Sequence, residues 1–250
     1  MSLGIDQSSP SVGNARCFPT TRWTMVLRAG ELEAEGAAAA LEQLCRAYWY
    51  PLYVYVRRRG HPPGEAEDLI QGFFADFLAH DHVASADPRR GRLRSYLLGA
   101  LNHYLSDTRD RQCRLKRGGG RPTLSLDVAA GEAGYVHEPI DDLSPDRLFE
   151  RRWALTLLNQ VLERLEAEYR SGDNAALFSA IKGFLTGADE SASYASLAPQ
   201  LGRTEGALRV AVHRLRRRYG ELLRDEIAHV VADPTEIDEE LRHLTAVLSA

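Results

Sequence analysis

The sequence predicts an all-α fold of two small helical domains joined by a linker, the second containing a helix-turn-helix. Three observations lead there. Apolar residues recur at helical spacing through most of the 250 residues, the mark of helices with one buried face. No stretch alternates apolar and polar residues as a half-buried strand would, and no internal repeat is visible. An irregular stretch over 118–144 separates two periodic units. It opens with Gly118-Gly119-Gly120-Arg121-Pro122, is rich in turn formers and acids, and reads as an interdomain linker.

Residues 1–19 are rich in Ser, Gly and Pro and are expected to be disordered. The first domain, 20–117, begins with a helical reading near Thr21, with Trp23, Val26 and Leu27. Ala37–Arg59 is a long helix in which Leu41, Leu44, Tyr48 and Leu52 share a face. Pro51 is expected to bend it after Tyr50. Gly60-His61-Pro62-Pro63-Gly64 is a firm break. Glu65–Ala79 follows, turning Leu69, Ile70, Phe73, Phe74, Phe77 and Leu78 inward. His80–Arg92 reads as a polar loop, and Leu93–Arg111 as the next helix.

The second domain spans 145–232. Ser144 is expected to cap a helix that starts at Pro145 and runs to Tyr169. Ala175–Leu185 comes next. The segment Tyr194–Tyr219 then reads as a helix, a tight turn at Gly202-Arg203 and a second helix. In that second helix Leu208, Val212, Leu215 and Tyr219 form one apolar stripe, with Arg209, His213, Arg216 and Arg217 largely opposite. Thr204 suits the N-cap, and Glu205 suits the positive end of the helix dipole. A short helix, a Gly-containing turn and a polar-faced second helix make the arrangement that sets a recognition helix in the DNA major groove. Pro199 inside the first of the pair is expected to distort it. Residues 233–250 form an acidic extension with a short helix over Glu236–Leu248.

The net charge of −4 conceals strong segregation. From Arg89 to Arg121 ten Arg and Lys face Asp107 and Asp110, a local charge of +8. From Pro122 to Glu150 seven acids face one Arg, and from Arg203 to Arg218 six Arg face one Glu. From Glu221 onward eight acids face two Arg. Two basic blocks, each followed by an acidic one, suggest two surfaces for a polyanion. Within the first block, Tyr96, His103 and Tyr104 lie among arginines; basic groups hold phosphates, and aromatic groups stack on exposed bases.

No apolar run is long enough to cross a bilayer, and no secretory signal is visible. Cys17, Cys45 and Cys113 are odd in number and far apart, and read as reduced thiols in a cytoplasm. His80-Asp81-His82 lacks further ligands at credible spacing, so no metal site and no cofactor are expected. No nucleophile motif and no phosphate loop are present, so the chain is not expected to be an enzyme. Trp23, Trp49 and Trp153 are expected to anchor the core rather than stack on bases. Cys45 is expected to be a small buried hydrophobe.

Four segments, in this order, resemble the extracytoplasmic-function sigma factors of bacterial RNA polymerase. They are Leu41–Arg59 (LEQLCRAYWYPLYVYVRRR), Glu65–Phe74 (EAEDLIQGFF), Arg92–Asp107 (RLRSYLLGALNHYLSD) and Tyr194–Tyr219. The resemblance covers roughly 37–117 and 146–228. The stretches FERRWA (Phe149–Ala154) and KRGGG (Lys116–Gly120) resemble a subgroup with a C-terminal extension.

The resemblance implies that the acidic helix docks on the basic coiled coil of the largest polymerase subunit through Glu65, Glu67, Asp68 and Gln71. It implies that Arg89, Arg90, Arg92, Arg94, Tyr96, His103 and Arg109 bind the proximal promoter element and the melted strand, with a flipped base in the loop His80–Arg92. It implies that Arg203, Thr204, Glu205, Arg209, His213, Arg214, Arg216 and Arg217 read the upstream element. The linker would thread the polymerase cleft. The expected partners are therefore core polymerase and promoter DNA, with control by an inhibitor protein or by the chain's own tail, in the cytoplasm and away from any membrane. Three positions depart from the family pattern: Gly72 stands where Glu is usual, His103 where Asn is usual, and Pro199 inside the first helix of the helix-turn-helix. The alternative is a stand-alone helix-turn-helix regulator; a third reading is a pure interaction protein with an acidic partner. The acidic extension, following directly on the basic helix, is expected to be a solvated helix that closes the domain; the alternative is that it screens the basic helix from DNA.

Overall fold

The computed structural model describes residues 34–79, 92–114, 143–170, 173–186, 194–231 and 233–249. The N-terminal segment with Trp23 and Cys17, the loop 80–91 with Arg89, Arg90 and the His80-Asp81-His82 triplet, and most of the linker lie outside them. Among the described residues the chain is all helical, with no strand.

The elements are α1 (Ala34–Arg58), α2 (Pro63–Ala79), α3 (Leu93–Arg114), α4 (Pro145–Tyr169), α5 (Asp173–Ile181), α6 (Gly183–Thr186), α7 (Tyr194–Gln200), α8 (Glu205–Ala228) and α9 (Ile237–Ser249). A 3-10 turn, Pro234–Glu236, leads into α9. The start of α4 is as its sequence dictates: Ser144 caps it by accepting from the Arg147 amide at 3.3 Å, and Pro145 sets the first turn. The expected helix over 175–185 is two pieces, α5 and α6. The second helix of the helix-turn-helix reading is longer than expected, running past Tyr219 to Ala228.

Pro51 and Pro199 lie inside α1 and α7, and both helices run through them. Around Pro51 the residues Tyr48, Leu52, Tyr53, Val54 and Val56 are fully buried. Burial of a large apolar side chain contributes about 1.5–3 kcal/mol each, which offsets the lost backbone bond. Pro199 sits one residue before the end of its helix, where α7 stops in any case.

The buried side chains of both halves join one apolar cluster rather than two. Among the described residues the most extensive helix pairing is between α1, from the first half, and α4, from the second. Leu44, Ala47, Tyr48, Leu52 and Tyr55 belong to this cluster with Phe149, Trp153, Ala154, Leu157 and Val161. Tyr55 meets the Phe149 ring edge-on at 6.4 Å. Gln160 Nε2 donates to the Arg46 carbonyl at 3.0 Å. α4 also packs on α8, α9 and α5, so it is the central helix. Trp153 is fully buried and Trp49 stacks on Tyr53 at 5.2 Å, the anchoring roles expected of them. Cys45 is half-buried, and burial pushes its thiol up to about 11, which keeps it protonated and unreactive.

Candidate nucleic-acid interface

α8 is positioned by its own sequence. Upstream, α7 closes in a Schellman arrangement: the Arg203 amide donates to the Ala198 carbonyl at 3.0 Å and the Gly202 amide to the Pro199 carbonyl at 3.3 Å. Gly202 takes φ +60°, the left-handed conformation that favours glycine at this place. Thr204 Oγ1 then accepts from the Ala207 amide at 3.2 Å and starts α8. Leu208, Val212 and Leu215 are buried. Tyr219 is half-buried, its hydroxyl donating to the Leu158 carbonyl at 3.4 Å. That fixes the opposite face outward.

Arg203, Thr204, Glu205, Arg209, His213, Arg214, Arg216 and Arg217 are all exposed. Arg209 lies over the Tyr194 ring at 4.9 Å and within 3.7 Å of Glu205. Arg217 reaches Glu221 at 3.5 Å. Arg203 and Arg214 line a cleft of about 540 Å³ with Glu168, Tyr169 and Val210. Arg216 differs from the others. Its Nε and Nη2 donate to the Phe184 carbonyl at 3.2 and 2.7 Å. It ties α6 to α8 while its side chain stays exposed, so it positions α8 as well as standing on the outward face. Arg218, absent from the expected set, clamps α8 to α4 through both oxygens of Glu168 at 2.9 and 2.7 Å.

The acidic face of α2 is only partly available. Glu65 and Asp68 are exposed, with Glu65 Oε1 3.1 Å from His61 Nδ1. Gln71 is buried and its Nε2 donates to Glu67 Oε1 at 2.8 Å. Desolvation, with the neighbouring Asp68 charge, raises the Glu67 carboxyl above its ordinary value despite that bond. Gln71 thus brackets Glu67, and of the four residues expected to dock Glu65 and Asp68 are exposed and Glu67 is half-buried.

The expected strand-binding residues on α3 separate into two groups. Tyr96 and His103 share a cleft of about 520 Å³ with Phe73, Asp76, Phe77, Tyr104 and Asp107. Tyr96 packs edge-on against Phe77 at 6.1 Å. Arg109 is exposed. Arg94, by contrast, is 3% exposed. Its Nε donates to Glu150 Oε2 at 2.6 Å, its Nη1 pairs with Glu240 Oε1, and its guanidinium lies over the Trp153 ring at 4.3 Å. Arg92 reaches Glu240 Oε2 at 2.9 Å and Glu239 Oε1 at 3.1 Å. In this conformation Arg94 cannot touch a nucleic acid, which corrects the expectation for it.

The same cluster shows where the acids of the tail go. α9 does not turn its acids toward Arg209, His213 or Arg217. Its Asp238 meets Arg224 near the far end of α8 at 2.9 Å, and its Glu239 and Glu240 meet Arg92 and Arg94. A buried guanidinium needs such partners, because an unpaired buried charge costs far more than the fold can offset. The sequence signal for this cluster was the charge of the extension, but not its address.

No protein-family model matches the chain, and comparison with curated proteins and with solved structures gives no significant match. No helix among the described residues is long and apolar enough to cross a membrane.

Proposed function

We propose that the chain is a promoter-specificity subunit of bacterial RNA polymerase, a sigma factor of the extracytoplasmic-function type. It binds core polymerase through α2, reads an upstream promoter element with α8 and engages a melted strand along α3. The observation that carries this reading is α8 itself. A Thr-capped helix buries Leu208, Val212 and Leu215 and leaves Arg209, His213, Arg214 and Arg217 outward. Those side-chain types match the donor and acceptor pattern of base edges in a major groove. The exposed carboxylates of Glu65 and Asp68 support a separate docking face of opposite sign.

The test is co-migration of the full chain with core polymerase on size exclusion. The parent is expected to form the complex. Asp68→Arg is expected to lose it while keeping its helical content by circular dichroism. Tight duplex binding without polymerase, as a dimer on a palindrome, would favour a stand-alone regulator instead.

A further inference from the structure

Among the described residues the Arg94 guanidinium is a buried charge at 3% exposure, and what holds it comes from α9. Glu240 is 2% exposed and lies 146 residues away in sequence. Its carboxylate bridges Arg92 and Arg94, while Glu239 adds a second partner to Arg92. These two arginines start the helix that carries Tyr96 and His103. A guanidinium takes a carboxylate or a phosphate in the same forked geometry, so the two acids of α9 occupy donors that a nucleic-acid backbone would use.

We propose that α9 is an internal clasp. Glu239 and Glu240 stand in for phosphate on Arg92 and Arg94, and the strand-binding face of α3 becomes complete only when α9 lets go. The proposal rests on the reading of α3 as a nucleic-acid face. Three features fit a helix built to release. α9 has 13 residues, a length at which an isolated helix is marginal in water. It is anchored by the buried Leu244, with Ile237, Leu241, Val247 and Leu248 only half-buried. Its polar ties, Asp238 to Arg224 at 2.9 Å and His243 to Glu150 at 3.0 Å, are at least partly open to water. When α9 leaves, Arg94 keeps Glu150 and Trp153 as partners, so the site survives its opening. Nucleic acid and α9 then compete for the same donors, and each weakens the other's hold by the same factor.

The test is fluorescence anisotropy of the full chain with a labelled single-stranded DNA oligonucleotide of mixed sequence, at low salt and without polymerase. Glu239→Gln/Glu240→Gln and the uncharged anchor variant Leu244→Ala are each expected to bind at least about fivefold tighter than the parent, the lower end of ordinary coupling. Glu163→Gln/Glu166→Gln, which removes the same charge from exposed positions of α4, is expected to gain less. Adding Arg92→Gln/Arg94→Gln to Leu244→Ala is expected to abolish the gain. Should Leu244→Ala keep its helical content yet bind as the parent does, or should its gain survive loss of both arginines, the clasp is overturned. Hydrogen exchange on the parent gives an independent check: saturating oligonucleotide is expected to speed exchange across 237–249, and unchanged exchange there overturns the clasp as well. Because polymerase takes no part in these assays, failure of the Asp68-dependent complex would count against the functional reading alone.

Discussion

Gly72 of α2 faces Tyr104 of α3. A Cβ placed there would come within 2.2 Å of the Tyr104 hydroxyl oxygen and 3.3 Å of the ring carbon that bears it. The sequence shows only a helix interior weakened by glycine, at a cost of about 1 kcal/mol relative to alanine. The structure gives that glycine a reason. Gly72→Ala is expected to destabilise the chain by about 1–3 kcal/mol through overpacking, despite better helix propensity. Tyr104→Phe in the same chain is expected to recover most of that loss; urea unfolding of the single and double variants checks both. Glu168 carries a second residue-scale prediction. Hydrogen bonds from Arg218 hold its carboxyl below the ordinary value of 4.5. A carboxyl lowered on folding contributes stability that is complete above its unfolded pKa and fades as pH falls through its lower folded value. Stability measured along an acid titration is therefore expected to fall less steeply in Glu168→Gln than in the parent. An equally steep acid limb would place the sensitivity elsewhere.

At the scale of elements, helix ends were the most legible feature. Ser144-Pro145 and Thr204-Glu205 start α4 and α8 through capping bonds that any Ser or Thr in those settings can make. Gly202 ends α7 because its left-handed backbone is cheap only for glycine. Thr204→Ala is expected to cost about 1 kcal/mol and to lower the midpoint of chemical unfolding without altering its slope. What the sequence could not convey was which faces meet. Arg94 and Arg216 look alike as surface arginines in any helical projection; only the packed chain shows Glu240 on one and the Phe184 carbonyl on the other. Gln71 likewise reads as a solvated neighbour of Glu67 until its helix is packed. The partners of the two arginines lie 32 and 146 residues away, beyond the reach of local spacing.

At the scale of the whole molecule, the all-helical class followed from periodicity, but the shared core did not. α4 has apolar residues on several sides, which in retrospect marks a helix covered by α1, α8 and α9 together. With Tyr55, Phe149 and Trp153 in one cluster, the halves are expected to melt together. Calorimetry should give a single transition whose calorimetric and van't Hoff enthalpies agree; two separated transitions would show that the halves unfold independently. Glu150 ties α4 to both α3 and α9 through Arg94 and His243. Glu150→Ala is expected to cost about 3 kcal/mol, the lower end for breaking a buried pair, since that carboxylate is 24% exposed.

The division of charge between α2 and α8 is tested by selective initiation. Core polymerase, supplied with a pool of randomised duplex templates, is run with and without the full chain, and the start sites are sequenced. Initiation is expected at a narrow set of sites that depends on the chain. Arg209→Ala/His213→Ala is expected to change the upstream sequence selected, and Asp68→Arg to abolish initiation from that narrow set. Start sites that are the same with and without the chain, or that ignore substitution in α8, would contradict the proposed function.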